Sequence, residues 1–241
     1  MTSAAFFDID GTLYREGLIT ATFKKLIRTE IIEEDLWYNE VREKYDRWDR
    51  RIGNYDDYLL KMAEIYVEAV KGLHRSQIEF IAQKVVDQNG DRVYTYTRDR
   101  IQKHKEEGHL IITISGSPEE LVAAMSKKHG FDDYVGTKYV KDEHDYFTGE
   151  ILPMYDSDSK KKAVLDFAKK YNIDLKKSYA YGDTAGDMAM FKLVKNPIAV
   201  NPTRELLSKV KEDPEICSKA AVVVERKDMI YQMDMSFFDS F

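Results

Sequence analysis

The chain has 241 residues, 43% hydrophobic and 33% charged, with net charge −6 and one cysteine, enough to bury one large core or a main domain with a smaller one. The interleaving of acids and bases, as in "KHKEEGH", excludes a nucleic-acid surface built on a one-sign patch. The lone Cys217 excludes an internal disulfide and reads as buried filler in a reducing compartment.

The first predicted element is a strand from Ala4 to Phe7, four apolar residues that run directly into Asp8, Asp10, Gly11 and Thr12. From about Gly17 to Asn89 no strand is predicted and helical patterns follow one another. "YLLKMAEIYVEAV" places Leu59, Met62, Ala63, Tyr66, Val67 and Val70 on one stripe, and "SQIEFIAQKVV" repeats this with Ile78, Ile81, Ala82 and Val85. Ser76 with Glu79 reads as a capping box for the second of these helices. The interval reads as a separate helical subdomain whose aromatic residues, Trp37, Tyr38, Tyr45, Trp48, Tyr55 and Tyr58, form its core. Arg47, Arg50 and Arg51 in "RWDRR" read as a solvated helix face before they read as an anion site.

Short apolar strands then recur: Leu110 to Ile114, Tyr134 to Thr137, Ser178 to Tyr181, Ile198 to Val200 and Ala221 to Val224. Between the first two lies a helix in "SPEELVAAMSKKHG", with Leu121, Val122 and Met125 on one face and Gly130 at its end. Buried strands alternating with helices predict an α/β protein with a parallel sheet covered on both sides. No apolar run approaches the ~20 residues that span a bilayer. No leader with a basic start and a long apolar stretch is visible, so the expected location is the cytoplasm, with no membrane partner.

In an open parallel sheet the residues just beyond the carboxyl ends of the strands bind ligands. There the sequence offers Asp8 and Asp10 after the first strand, Ser115 and Gly116 in "SGSPEE", and Asp183 and Asp187 in "GDTAGD". Lys160, Lys161 and Lys162 open a helix in "DSDSKKKAVL". Each has a plain structural reading: Ser117, Pro118 and Glu120 as the start of a helix, Thr184 with Asp187 as another, the lysines as a solvated face. A calcium loop is excluded for "DIDGT", because Thr12, Leu13 and Ile19 stand where an EF-hand needs a third ligand, glycine and glutamate. Together, carboxylates at two strand ends suit a hard cation such as Mg²⁺, and a hydroxyl, helix amides and a lysine make the complementary anion site. That combination is a phosphoryl-transfer centre.

At these residues the sequence resembles the haloacid dehalogenase-like (HAD) hydrolases, and within them the IB subfamily that includes phosphoserine phosphatases. The four motifs are matched in order by Asp8-Ile9-Asp10-Gly11-Thr12, by Ser115 in "IITISGSP", by a lysine among Lys160 to Lys162, and by Gly182-Asp183 with Asp187. Among the lysines, Lys161 is the expected match because Leu165 stands four residues beyond it, with Lys160 the runner-up.

The resemblance implies a Rossmann-like parallel-sheet core, residues 1–15 and 90–241, with an inserted helical cap of the C1 type at 16–89. It implies Asp8 as nucleophile, Asp10 as acid and base, and Ser115, Gly116 and Lys161 as phosphate ligands. Mg²⁺ is expected at Asp8, the Asp10 carbonyl, Asp183 and Asp187, serving a preformed site and mattering little to folding. The substrate is expected to be a small phosphorylated metabolite. The DSTL of phosphoserine phosphatases and their later cap run are not matched, since Asp10-Gly11-Thr12-Leu13 stands at the first, so serine recognition does not carry over. Phosphoserine phosphatase proper, a phosphotransferase and a non-catalytic phospho-ligand-binding module are the alternatives.

Overall fold

The computed structural model describes residues 2–50, 52–53 and 55–240, and no side chains for residues 55, 56, 239 and 240, so Arg51 and the Tyr55 side chain lie outside the described residues. The chain opens with β1 (Ala4–Phe7) and then runs through helices: α1 (Leu18–Arg28), α2 (Glu34–Leu36), a π-helical turn (Trp37–Val41), α3 (Arg42–Asp49), α4 (Tyr55–Val70), α5 (Arg75–Asn89) and α6 (Thr95–Glu106). There follow β2 (Leu110–Pro118), α7 (Glu119–His129), β3 (Asp133–Lys141), β4 (Phe147–Leu152) and α8 (Ser157–Tyr171). The remainder is β5 (Tyr179–Gly182), α9 (Met188–Leu193), β6 (Asn196–Val200), α10 (Arg204–Glu212), α11 (Pro214–Cys217), β7 (Ala221–Arg226) and β8 (Met229–Asp234).

The strands form one sheet in the order β4-β3-β2-β1-β5-β6-β7-β8, with β3, β2, β1, β5, β6 and β7 parallel. β1 lies near the middle, all four residues fully buried, because a strand covered on both faces must be apolar at every position. Successive residues point to opposite sides. Ala5 and Phe7 join one apolar cluster with Ile111, Tyr181, Ile198 and Val200, while Ala4 and Phe6 join the other with Ile112, Ala180 and Ala199. The second cluster is closed by α8, α9 and α10 through Val164, Phe167, Phe191 and Leu206. The expected α/β architecture is the observed one.

The stretch from α1 to α5 is helical throughout, as expected, and Met62, Tyr66, Ile78, Ile81, Ala82 and Val85 are buried. Its aromatic core is there too: Trp37 meets Phe23 and Tyr45, and Tyr58 meets Tyr45 and Trp48, with ring centroids 5.1–6.2 Å apart. Tyr38 is outside it, half exposed against Arg42. On the proposed division into 1–15 with 90–241 and 16–89, the two crossings lie side by side. Tyr14 bridges Val93, and the Arg15 N–H donates to the Arg92 carbonyl at 3.0 Å. Glu225 of β7 holds that junction, accepting from Arg15 and from the free Thr95 and Tyr96 amides at the start of α6. The insert is not separate in its packing. Phe23, Leu26, Met62 and Val86 share one cluster with Phe7, Leu121 and Met125, so the helices rest directly on one face of the sheet.

Some expectations of detail are corrected. α5 begins at Arg75, with His74 as N-cap paired to Gln77; Ser76 instead bonds the His74 ring, and Glu79 pairs with Arg75. β2 runs on to Pro118, so Ser117 lies in a strand and does not cap α7, which starts at Glu119 without a side-chain cap. β4 and β8 were not predicted, because these antiparallel edge strands are mostly exposed and lack an apolar run. Arg47 and Arg50 are exposed and Cys217 is half-buried against the α9–α10 layer. No helix among the described residues is long and apolar enough to cross a membrane.

Candidate active site

Immediately after β1 the chain must turn while keeping Asp8 in the sheet. The Asp8 N–H donates to the Tyr181 carbonyl at 3.0 Å, as if the strand continued. The Ile9 carbonyl then accepts from Leu13 and Tyr14, at 2.9 and 2.8 Å, closing a tight loop. Gly11 sits in that loop at φ +80, and a Cβ there would lie 2.1 Å from Asp183 Oδ2, so only glycine fits. On the neighbouring strand Gly182 plays a similar part, since its Cβ would lie 2.4 Å from the Asp187 side chain. Asp187 is fixed in return by the Asp183 and Thr184 amides, which donate to Oδ2 at 3.0 and 3.1 Å, with Thr184 closing the predicted capping box.

Asp8, Asp183 and Asp187 are all at least nine-tenths buried, and each offers a carboxylate oxygen within 4.8 Å of the others. Thr12 donates to Asp183 Oδ1 at 3.0 Å. Among the described residues the single buried cation is Lys160, whose ammonium reaches Asp8 Oδ1 at 2.9 Å and Asp187 Oδ1 at 2.6 Å. Asp8 Oδ2 accepts no hydrogen bond from the described residues.

The lysine expectation is therefore corrected. α8 turns Lys160, Ala163, Val164 and Phe167 inward, the spacing of one helix face, while Lys161 and Leu165 share the exposed face. Lys161 and Lys162 point to solvent, and the apolar residue four positions on that matters is Val164, not Leu165.

Asp10 turns the other way. Its Oδ1 accepts from the Leu18 amide at 2.7 Å, at the start of α1, and its Oδ2 accepts from the Ser117 hydroxyl at 2.5 Å. Its carboxylate is outside the three-acid cluster, which leaves its backbone as the only expected metal ligand. Ser115 is fully buried and its Oγ accepts from the Ser117 amide at 3.2 Å. The β2–β3 register slips between Ile114 and Pro118, an irregularity of the kind that re-aims side chains at strand ends. Thr137 holds the bulge by donating to the Gly116 carbonyl at 2.7 Å. Thr12 and Ser117 are site residues that the sequence reading passed over. The period of two along β2, which puts Ser115 and Ser117 on one side, was the available signal for Ser117.

The electrostatics follow from burial. Desolvation pushes Asp8 up to about 7, with Lys160 pulling against it and Asp187 and Asp10 adding to the rise. Burial, and then Asp8 and Asp187, hold Asp183 well above the usual carboxylate range. Burial raises Asp10 as well, opposed by its hydrogen bonds from Ser117 and Leu18. Burial pulls the Lys160 ammonium down, but Asp187 and Asp8 outweigh it and raise it above the usual lysine range. Three buried carboxylates against one ammonium leave uncompensated negative charge. A hard divalent cation with oxygen ligands fits that donor set.

The sequence matches the family described as haloacid dehalogenase-like hydrolase over residues 5–192. Among curated proteins it is 28% identical to the inhibition of morphological differentiation protein of Streptomyces azureus over 85% of this chain and 73% of that one. It is 26% identical to phosphoserine phosphatase SerB1 of Mycobacterium tuberculosis over 92% and 74%. Among solved structures, a substrate-bound phosphoserine phosphatase superposes with a TM-score of 0.58 at 20% identity, covering 95% of each chain, a likeness of fold.

Proposed function

The chain belongs to the haloacid dehalogenase-like hydrolases, and from that premise we propose that it is a Mg²⁺-dependent phosphatase acting on a small phosphomonoester through an aspartyl-phosphate. The observation that carries this reading is the buried group of Asp8, Lys160, Asp183 and Asp187, with Asp10 held beside it by Ser117.

In this reading Asp8 attacks phosphorus through the carboxylate oxygen that Lys160 does not hold. The P–O ester bond breaks, and Asp10 delivers its proton to the departing alkoxide. Burial equips Asp10 for this by favouring its protonated form, while Ser117 and the Leu18 amide aim the carboxyl. Asp10, now a carboxylate, takes a proton from water; that water attacks phosphorus, releases inorganic phosphate and restores Asp8. Lys160, Ser115 and the Gly116 amide bind the transferring phosphoryl oxygens, with Lys160 in the place expected of Lys161. Asp8, Asp183 and Asp187, with the Asp10 carbonyl, would hold Mg²⁺, which when bound offsets the repulsion between anionic nucleophile and anionic phosphate.

The Asp10 side chain favours a phosphatase over a binding module, because a module that only binds has no use for a second carboxyl kept protonatable beside the first. Phosphate release from a panel of metabolite monoesters, phosphoserine included, tests the proposal. Mg²⁺-dependent turnover of at least one ester, abolished by Asp8→Asn, is expected; turnover that survives Asp8→Asn or ignores Mg²⁺ would overturn it. A new phosphate ester formed when alcohols are added would indicate a phosphotransferase instead.

A further inference from the structure

At the opposite end of the central strands, where α6 ends and β2 begins, His104 Nδ1 and His109 Nδ1 face each other at 2.9 Å. Glu107 Oε2 lies 3.8 Å from the first and 3.6 Å from the second. We propose that His104, Glu107 and His109 form a binding site for a borderline transition-metal cation of the Zn²⁺ class, separate from the carboxylate cluster that takes Mg²⁺.

The geometry is the first argument. A triangle with sides of 2.9, 3.8 and 3.6 Å has its three corners on a circle of about 2.0 Å radius, the length of a Zn–N or Zn–O bond. A cation at or slightly above the centre of that circle is at bonding distance from all three atoms with no movement of the backbone. Two imidazoles and one carboxylate suit Zn²⁺, Co²⁺ or Ni²⁺, whereas Mg²⁺ prefers oxygen alone.

The surroundings are the second. His104 is fully buried, and its other ring nitrogen, Nε2, meets the Tyr181 hydroxyl at 2.8 Å. That hydroxyl is itself fixed by the Arg100 guanidinium at 3.0 Å. A histidine that ligates a metal through one nitrogen commonly gives its other N–H to such a partner, which sets ring orientation and tautomer. In the metal-free protein the two Nδ1 atoms share a hydrogen bond; with metal bound at both Nδ1 atoms, the ring that carried that proton holds it at Nε2 instead, and Nε2–H of His104 donates to the Tyr181 hydroxyl. Lys103 is 3.9 Å from Glu107 Oε1, so it engages the oxygen that the metal does not need. The histidine side chains are 0% and 17% exposed and that of Glu107 39%, so the cluster is built on a buried wall and reached from one side.

Equilibrium dialysis against Zn²⁺ with Mg²⁺ in large excess, followed by metal analysis, tests the proposal. The wild type and Asp183→Asn are each expected to retain one equivalent, and His109→Gln and Glu107→Gln to lose it while keeping their fold by circular dichroism and their hydrolase activity. With Co²⁺ as probe, the wild type should show visible absorption of four-coordinate intensity that His109→Gln lacks. Retention of a full equivalent by Glu107→Gln and His109→Gln, as in the wild type, or loss of Zn²⁺ from the wild type once Mg²⁺ is in excess, would overturn the proposal. Glu107 is exposed enough that its variant folds whatever the effect of changing His109.

Discussion

Lys160 is the residue on which the charge balance of the site turns. Its ammonium is the one cation that the described residues bring among three buried carboxylates, so replacing it leaves Asp8 and Asp187 without compensation. Lys160→Met should cost about 3 kcal/mol of stability at neutral pH and lower phosphate release by about 100-fold or more. Lys161→Ala, on the outer face of α8, should change neither; denaturant melts and steady-state rates on both variants check this. The same charge cluster sets a pH dependence. Asp8, raised to about 7, holds more protons in the folded than in the unfolded protein between about pH 4 and 7, so its contribution to stability falls as pH rises through that window and levels off above it. Asp183, raised as well, acts in the same direction. A cation binds the deprotonated carboxylates, so added Mg²⁺ should raise the melting temperature more at pH 8 than at pH 5. That increment runs against the expectation that a cation serving a preformed site matters little to folding. A Mg²⁺ increment that is equal at both pH values would contradict the assignment of the cluster.

At the scale of elements, legibility depended on whether a residue's role was local. "DIDGT" could be read because Asp8 and Asp10 follow directly on an apolar strand, and the Thr184–Asp187 cap because its partners are three residues apart. Ser117 was misread because Ser-Pro-Glu-Glu is a good local helix start, whereas its hydroxyl is spent on Asp10, 107 positions away in sequence. Lys160 rather than Lys161 faces inward for a related reason: an α-helix turns about 100° from one lysine to the next, and only packing of Val164 and Phe167 on the sheet decides which faces inward. Ser117→Ala should leave the fold intact and lower kcat about tenfold with little change in KM, because it loosens the orientation of Asp10 and not the binding of phosphate. A change confined to KM would show that Ser117 contacts substrate and does not aim the acid.

For the whole molecule, the sheet was legible wherever it is buried. The central strands β1, β2, β5 and β6 are buried along most of their length and carry apolar residues for that reason, whereas β4 and β8, mostly exposed edges, carry no apolar run. The helical insert was legible as helices but not in its packing, since nothing in a heptad-like stripe says whether it closes on itself or, as Phe23, Met62 and Val86 do, on the same apolar cluster as Phe7 and Leu121. The topology puts the ends of β1, β2 and β5 side by side, which is how residues 8, 115 and 183 come to one place. Whether Asp8 takes the phosphoryl group and Asp10 then activates water is decided by trapping. Asp10→Asn incubated with Mg²⁺ and an aryl phosphate, whose leaving group needs no acid, should accumulate one phosphoryl group on Asp8. Acid quenching and mass spectrometry of the peptide that spans residues 4–15 would locate it, and hydroxylamine should remove it. A phosphoryl group found on another residue, or on the same peptide in Asp8→Asn, would contradict the account.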